Sequence, residues 1–402
     1  MIYLDNAATT VQKPQCVIDA VTTALTSGTG NCGRGMNKAS LEAGRTVYGC
    51  REAVARLFGF PAPVCISFTS NSTEALNTAI MGLIDPSVPG QQVVTTAAEH
   101  NSVLRPLYFQ KNNGVRLDIA PIGADGVINY RALEKLLSEH TRALVITMAS
   151  NVTGNITDFT AVGAMLRRLH ERTGHKPLLI LDASQAAGSL SINAADLDGQ
   201  GTRADVLCFT GHKSLMGPQG TGGICVMPDI TVRPLKRGGS GIRSFDKEHP
   251  SVMPEALEAG TLNTHGLAGL SAAVSYIQQE GIDAIHAHEQ KLTQQFYDGV
   301  RHIPGIRLYG DFRTDSAGKL YDRAPIVSLN IGDTDSAEVS DILSTEYGIA
   351  TRAGAHCAPL VHKSFGTEAQ GMVRFSFGWF TTEQDIAAAV NALAEIQKDI
   401  VI

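Results

Sequence analysis

Lys213 lies where a lysine can act as a nucleophile rather than as a surface charge. It comes shortly after the apolar run ADVLCFT, which predicts a strand, and it precedes the glycine-rich stretch GPQGTGG. A lysine amine attacks an aldehyde only in its neutral form, which burial or neighbouring cations favour. Most lysines are solvated surface charges, so position alone leaves both interpretations open.

Two further polar groups also follow apolar runs. Asp182 ends PLLILD, with Gln185 three residues later, and Asn71, Ser72 and Thr73 stand between a strand-like and a helical segment. An acid such as Asp182 could keep a ring nitrogen protonated, or it could serve as a turn or helix-cap residue. A helix start binds phosphate through backbone N–H groups, although Ser and Thr also cap helices that bind nothing.

The predicted strands and helices around these polar residues indicate that the residues lie at one edge of a sheet. Between about residues 61 and 227, short β-branched runs alternate with helical patterns, which predicts an α/β fold with a mainly parallel seven-stranded sheet. The candidate strands are VCISFT, QQVVTT, VRLDIA, RALVITM, PLLILD, ADVLCFT and GGICVM. Ligands of such sheets bind at the carboxyl ends of the strands, so the polar groups are expected to meet there.

The chain is long enough for two domains. A segment of 27 residues from Leu235 to Thr261, rich in Gly, Pro and charge, predicts a functional loop near the site. Later helical and strand-like runs predict a smaller α+β domain, with a capping box from Thr381 to Gln384 opening the last helix. We expect a large domain at 14–262 and a small domain formed by 1–13 and 263–402.

Composition narrows the class of protein. The formal net charge is -6, with 33 basic and 39 acidic residues, so no basic excess favours nucleic acid as a partner. No run of about 18 apolar residues predicts a membrane span, and the first residues lack a secretory pattern. We expect a cytoplasmic protein.

The seven cysteines form no C-x-x-C pair, and we expect neither disulfides nor a metal site. Cys65, Cys208 and Cys225 lie in strand-like runs and are expected to be buried. Cys357 lies instead in TRAGAHCAP, close to Arg352 and His356, where neighbouring cations would favour the reactive thiolate. A single loop cysteine is nevertheless inert in most proteins.

Taken together, these motifs resemble a known family over nearly the whole chain. YLDNAATT, AAEHNS, ASNVTGN, LDASQAAG, FTGHKSLMGPQGTGG, LEAGTLN, RAGAHCAP and VRFSFGW are similar to the fold-type I pyridoxal-phosphate (PLP) enzymes of the class V aminotransferase family. In their exact residues, the motifs resemble the cysteine desulfurases and selenocysteine lyases of that family.

The resemblance implies a PLP site and a role for each matching residue. Lys213 would hold PLP and shuttle protons, Asp182 would face the ring nitrogen, and His100 would stack on the ring and take part in proton transfer. Gln185 and Asn151 would lie near the ring hydroxyl. The phosphate would be bound by Asn71, Ser72, Thr73, Thr210 and His212, together with Thr261 donated across a homodimer.

The resemblance also implies a substrate, L-cysteine, and a nucleophile. Asn151, Arg352 and Arg374 would bind the substrate, and the planar fork of Arg374 suits a carboxylate, which would also supply the partner that a charge within an apolar strand requires. Cys357 would take the sulfur as a persulfide and alanine would leave. A sulfur-acceptor protein is then a further expected partner.

Several alternatives remain open at this stage. L-Selenocysteine could be the substrate, the chain could catalyse transamination or β-elimination on another amino acid, or it could be a scaffold without turnover. The short connection around Cys357 resembles group II desulfurases. However, Gly33 stands where that group commonly has a histidine, between Cys32 and the retained Arg34, so the substrate preference and the sulfur-transfer route are open.

Overall fold

The structure is a computed structural model that describes residues 1–33, 35 and 37–400. Arg34, which the sequence comparison retained, lies outside these residues. The strands are β1 Ile2–Tyr3, β2 Ile66–Thr69, β3 Gln92–Thr96, β4 Arg116–Ala120, β5 Thr141–Thr147, β6 Leu178–Asp182, β7 Val206–Thr210, β8 Gly222–Val226, β9 Ile306–Tyr309, β10 Ile326–Ile331, β11 Ile349–Ala350 and β12 Val373–Ser376.

The helices begin and end as follows: α1 Gln15–Thr26, α2 Lys38–Phe58, α3 Ser72–Leu83, α4 Asn101–Asn112, α5 Tyr130–Leu136, α6 Phe159–Thr173, α7 Thr264–Glu280, α8 Ile282–Val300, α9 Ser336–Thr345, α10 Pro359–Phe365 and α11 Glu383–Ile400. Several are capped by their own side chains. Asn71 accepts the backbone N–H of Glu74 at the start of α3, and Asp158 accepts that of Ala161 at the start of α6.

The large sheet confirms the predicted fold class. All seven candidate segments form strands, in the order β2-β8-β7-β6-β5-β3-β4. Neighbours pair in parallel except β8, which runs antiparallel to both β2 and β7. Strands β6 and β7 are adjacent and parallel, with Asp182 opposite Cys208, so the ends that carry Asp182 and Thr210 lie at one edge.

Apolar side chains cover both faces of this sheet. Leu144, Leu181 and Leu207 face one core with helices α2 and α6, whereas Val145, Ile180 and Val206 face another with α3. This burial on both faces explains the continuous apolar runs of the central strands. The same cores hold Cys65, Cys208 and Cys225, whose predicted burial is confirmed.

Two small sheets form beyond the large one. Strands β12-β10-β9 are antiparallel, and β1 pairs in parallel with β11, so the first residues of the chain join its last third. Helix α7 contributes Leu267, Leu270 and Val274 to a core of the large sheet. The division at 262/263 stays a prediction.

The last helix opens one residue later than the sequence suggested. Thr382, not Thr381, forms the capping box, because its backbone N–H and hydroxyl donate to Asp385 and its hydroxyl accepts the Asp385 N–H. The hydroxyl of Thr381 instead accepts the N–H of Gly378. Among the residues that the structure describes, no helix is long and apolar enough to cross a bilayer.

Candidate active site

Lys213 lies deep in the protein but is not sealed from solvent. It comes three residues after the end of β7, and its carbonyl accepts a hydrogen bond from the Thr10 hydroxyl. The pKa of Lys213 is lowered to about 8, chiefly by loss of hydration, with Asp182 opposing the shift and Arg374 and Arg352 contributing to it. A substantial fraction of the amine is therefore neutral near physiological pH, as a nucleophile requires.

The buried Asp182 lies next to the lysine turn. Its Oδ1 accepts both the backbone N–H and the hydroxyl of Ser184, so the turn-acid interpretation of this residue holds for that oxygen. Gly188, with φ +89°, ends the turn against the backbone of Ser214, where a Cβ would lie 2.4 Å from the carbonyl carbon. This close approach, which requires glycine, brings the Asp182 turn and the Lys213 turn together.

Hydroxyl groups connect the Asp182 turn to α3. The Ser72 hydroxyl lies 2.6 Å from that of Ser184, at the first residue of the helix that Asn71 caps. The amide nitrogen of the buried Gln185 donates to the carbonyl of Ala7 at 3.1 Å. The predicted phosphate residues Asn71 and Ser72 thus lie at a helix start, as the sequence suggested.

A second chain of hydrogen bonds runs from Thr73 to His100. The Thr73 hydroxyl lies 2.8 Å from that of Ser102, which lies 2.9 Å from Nδ1 of His100. That nitrogen also accepts the backbone N–H of Ser102, so His100 caps α4. Burial lowers the pKa of His100 to about 4, and the neutral ring therefore carries its proton on Nε2.

Thr210 and His212 flank the turn before Lys213. Thr210 is 2% exposed, and its hydroxyl has no hydrogen-bond partner within the described chain. His212 Nδ1 lies 3.0 Å from the Thr9 hydroxyl, and burial lowers the pKa of His212 to about 4. An unpartnered buried hydroxyl needs an explanation, and a bound polar ligand provides one.

Arg374 is the central residue of a buried polar cluster. It is 2% exposed, and it donates from Nη2 to Asp5 Oδ1 at 2.7 Å and from Nη1 to the Asn151 carbonyl at 3.1 Å. Its backbone pairs with that of Arg352, whose side chain is exposed. The charges of Arg374, Arg352 and Lys213 all lower the pKa of His100, so these residues share one site.

Cys357 is exposed on a constrained turn. Both His356 and Cys357 have positive φ, 50° and 57°, and α10 begins two residues later. The Cys357 carbonyl accepts the Asn101 N–H at 2.7 Å, and the His356 carbonyl accepts the Asn151 amide at 2.8 Å. Cys357 lines one cleft with Thr73 and His100.

The prediction that a positively charged His356 favours the Cys357 thiolate is wrong. Burial lowers the pKa of His356 to about 3, and its Nε2 lies 3.0 Å from the Arg352 carbonyl. An uncharged imidazole cannot favour a thiolate by charge, so Arg352 is the remaining predicted cation near Cys357.

Thr261 and Cys32 lie apart from this cluster. Thr261 is exposed and accepts a hydrogen bond from Asn31, so within one chain it is not brought to Lys213 by any described contact. Cys32 is partly buried and lines a separate cleft with Gly33 and Ile242.

Sequence reasoning missed four residues of the site. Asp5, Glu99, Ser102 and Ser184 all contact or act on predicted residues. Each lies inside a motif that was recognised as a whole, namely YLDNAATT, AAEHNS or LDASQAAG. A polar residue next to a predicted site residue was the available signal.

Comparison with known proteins identifies the family. The Aminotransferase class-V family model matches residues 2–388. A probable cysteine desulfurase of Methanothermobacter thermautotrophicus is 32% identical over 98% of this chain and 94% of its own. A cysteine desulfurase of Serratia proteamaculans is 28% identical, covering 99% and 94% of the two chains.

Solved structures agree. The apo structure of a cysteine desulfurase from Thermococcus onnurineus superposes with a TM-score of 0.88 at 28% identity, over 99% of this chain and 95% of that one. A cysteine desulfurase from Escherichia coli gives a TM-score of 0.84 at 26% identity, over 99% and 94%.

The seven-stranded sheet with a lysine, an acid and a capping histidine at one edge therefore has the architecture of a class V aminotransferase. The chain belongs to the class V aminotransferase family and, within it, to the cysteine desulfurases.

Proposed function

We propose that this protein is a PLP-dependent desulfurase that converts L-cysteine to L-alanine and leaves the sulfur as a persulfide on Cys357. The observation that carries the proposal is the exposed Cys357, which lines one cleft with His100 on a turn that a hydrogen bond from Asn101 holds to the start of α4. The desulfurase relatives support the substrate.

The residues present fit PLP. The unpartnered Thr210 hydroxyl, the start of α3 and His212 offer donors for a phosphate, and the buried Asp182 carboxylate would pair with a pyridinium nitrogen. Lys213 would hold the aldehyde carbon, with Asn71, Ser72, Thr73, Gln185 and Asn151 as further contacts. When bound, PLP supplies an electron sink for bonds broken at the amino acid.

Lys213 and His100 would manage protons around the substrate. A lysine with a pKa of about 8 can both give and take a proton near neutral pH. His100, neutral with its proton on Nε2, can donate a hydrogen bond without adding a charge. Arg374, with Asn151 and Arg352 beside it, would bind the substrate carboxylate.

Cys357 would take the sulfur. Its sulfur forms a bond to the substrate sulfur while the carbon–sulfur bond of L-cysteine breaks, and a proton replaces the sulfur on that carbon. L-Cysteine and the Cys357 thiol thus become L-alanine and a Cys357 persulfide, with no external oxidant. The sulfur then leaves to an acceptor, for which a carrier protein is the proposed partner.

The Cys357 turn supports assignment to group II. Two consecutive non-glycine residues with positive φ, two anchored carbonyls and a helix beginning at Pro359 hold the cysteine on a short constrained segment. A long mobile loop would show none of these constraints. Gly33 remains the departure from the group II pattern.

A homodimer is also proposed. Thr261 is exposed rather than turned toward Lys213, and the same long loop exposes Ile242, Phe245 and Val252, with Phe245 fully exposed. Exposed large apolar side chains on one loop favour an interface. Thr261 would then reach the phosphate of the partner. Use of selenocysteine and location in the cytoplasm stay predictions.

The test measures both products. Purified, PLP-loaded protein incubated with L-cysteine should release alanine and carry one additional sulfur on Cys357, seen by peptide mass spectrometry. Cys357→Ala should lose alanine release by at least about 100-fold. Cys16→Ala, which removes the other exposed cysteine, is the matched control and should be unaffected. Normal alanine release by Cys357→Ala would contradict the proposed nucleophile.

A further inference from the structure

The N-terminal residues 3–10 run along the candidate site. This segment contacts four predicted site residues. The Ala7 carbonyl accepts from Gln185, Thr9 and Thr10 bond to His212, Thr10 also bonds to Lys213, and Asp5 pairs with Arg374. Asp5 contributes the negative charge among these contacts. Asp5 therefore acts on the site through its charge, whereas the other contacts of this segment are uncharged hydrogen bonds.

The contacts of Arg374 are incomplete in a specific way. Nη2 donates to Asp5 and Nη1 to the Asn151 carbonyl, whereas Nε is buried without a partner among the described residues. A buried N–H without an acceptor is costly. The missing acceptor is explained if a ligand supplies it.

The unfilled donor suits a carboxylate. Nε–H and one Nη2–H of a guanidinium share an edge, which binds a carboxylate through two parallel hydrogen bonds. Asp5 has one contact, through Oδ1, and Nη2 carries two hydrogens. A substrate carboxylate can therefore bind beside Asp5 instead of displacing it.

Charge gives Asp5 a second task. Burial and the nearby Arg352 both lower the pKa of Arg374, and Asp5 raises it. A buried cation that loses its counter-ion is strongly disfavoured. Asp5 therefore stabilises the buried guanidinium charge and holds its orientation before any substrate arrives.

We propose that Asp5 is a positioning residue that holds Arg374 in the orientation that receives the α-carboxylate of the amino acid substrate. The proposal rests on the proposed function of Arg374 in substrate binding. It assigns to the motif YLDNAATT a part in substrate affinity, acting through Arg374 and not through contact with reacting atoms.

The experiment compares ligands with and without a carboxylate. In PLP-loaded Asp5→Ala, the dissociation constant of L-alanine, followed by cofactor absorbance, should rise about tenfold, as should KM for L-cysteine, with kcat changed less than about threefold. Binding of ethylamine, which lacks the carboxylate, should not change. Asp5→Asn, which keeps an oxygen acceptor, should show the same change to a smaller extent.

A matched control is available on the surface. Asp85 pairs with Arg233 at the same 2.7 Å but lies outside the site, so Asp85→Asn should leave L-alanine binding unchanged. Unchanged or tighter L-alanine binding in Asp5→Ala would overturn the proposal, because Asp5 would then be irrelevant or a competitor. Equal weakening of ethylamine would also overturn it. If Asp5→Ala does not fold, Asp5→Asn gives the same comparison.

A measurement without cofactor separates this proposal from the function. In urea unfolding of the cofactor-free protein, Asp5→Asn and Arg374→Gln should be non-additive by at least about fivefold in the unfolding constant. Additive effects would contradict the pairing. If L-cysteine yields no alanine but Asp5→Ala still weakens L-alanine binding, the proposed function fails and the role of Asp5 stands.

Discussion

The two residues proposed to carry the reaction lie in opposite surroundings. Lys213 follows a central strand deep in the protein, and lost hydration lowers its pKa to about 8. Cys357 is exposed on a turn with positive φ in the last third of the chain. The surroundings of Lys213 lower its pKa, whereas the position of Cys357 leaves its thiol open to solvent.

The strongest test of the role of the buried Lys213 is removal of its amine. Lys213→Ala should lower kcat/KM for L-cysteine by at least about 10³-fold, since the cofactor anchor and the proton carrier are lost together. Borohydride should no longer fix PLP covalently to the protein, as mass spectrometry would show. Lys291→Ala, at an exposed lysine paired with Glu383, is the control. PLP fixed in undiminished amount would refute the anchor.

The exposure of the Cys357 thiol can be measured directly. With iodoacetamide, Cys16 and Cys357 should react at least about 100-fold faster than Cys50, Cys65 and Cys208, because a buried thiol must wait for local opening. Peptide mass spectrometry follows each site. In urea all seven cysteines should react alike. Labelling of Cys357 as slow as that of Cys208 would contradict the contrast between a buried Lys213 and an exposed Cys357.

The sequence predicted the surroundings of Lys213 better than those of Cys357. The seven strands were readable because buried parallel strands are short apolar runs, and Asp182 and Lys213 come at or just after such runs. The neutral His356 was not readable, because its burial depends on residues distant in the chain.

The pairing of Asp5 with Arg374 illustrates the same limit. It joins residues 369 positions apart and accompanies the backbone bridge between Asp5 and Ser376, which no local pattern encodes. The capping box was misplaced by one residue for a related reason. Thr381 and Thr382 are equivalent in sequence, and the N–H of Gly378 decides which of them caps α11.

The lowered pKa of Lys213 makes a pH prediction. A neutral amine is needed to react with the PLP aldehyde, so the association rate of PLP with cofactor-free protein should fall about tenfold per pH unit below pH 8. Above pH 8 it should level off, whereas an ordinary lysine would continue to gain up to its usual pKa of 10.5. Stopped-flow absorbance between about pH 6 and pH 10 gives the profile. A rise without a plateau would mean that Lys213 is not desolvated.

A smaller effect is expected at Glu99, a buried residue whose charge would act on Asp182. Its Oε1 accepts from the Thr96 hydroxyl and the Thr147 N–H, and burial, with a contribution from Asp182, raises its pKa to about 8. A protonated Glu99 adds no second negative charge beside Asp182, which leaves Asp182 free to pair with a ring cation.

The sign of the Glu99 effect follows from proton binding. Between about pH 4.5 and pH 8 the folded protein keeps the proton that the unfolded chain has lost, so this group makes stability fall as pH rises, by at most about 1.4 kcal/mol per unit. Glu99→Gln is neutral in both states and should flatten that part of the curve in urea unfolding. Glu42→Gln, at an exposed glutamate, should leave the slope as it is. An unchanged slope in Glu99→Gln would mean that Glu99 is ionised and that Asp182 shares the edge of the sheet with a second anion.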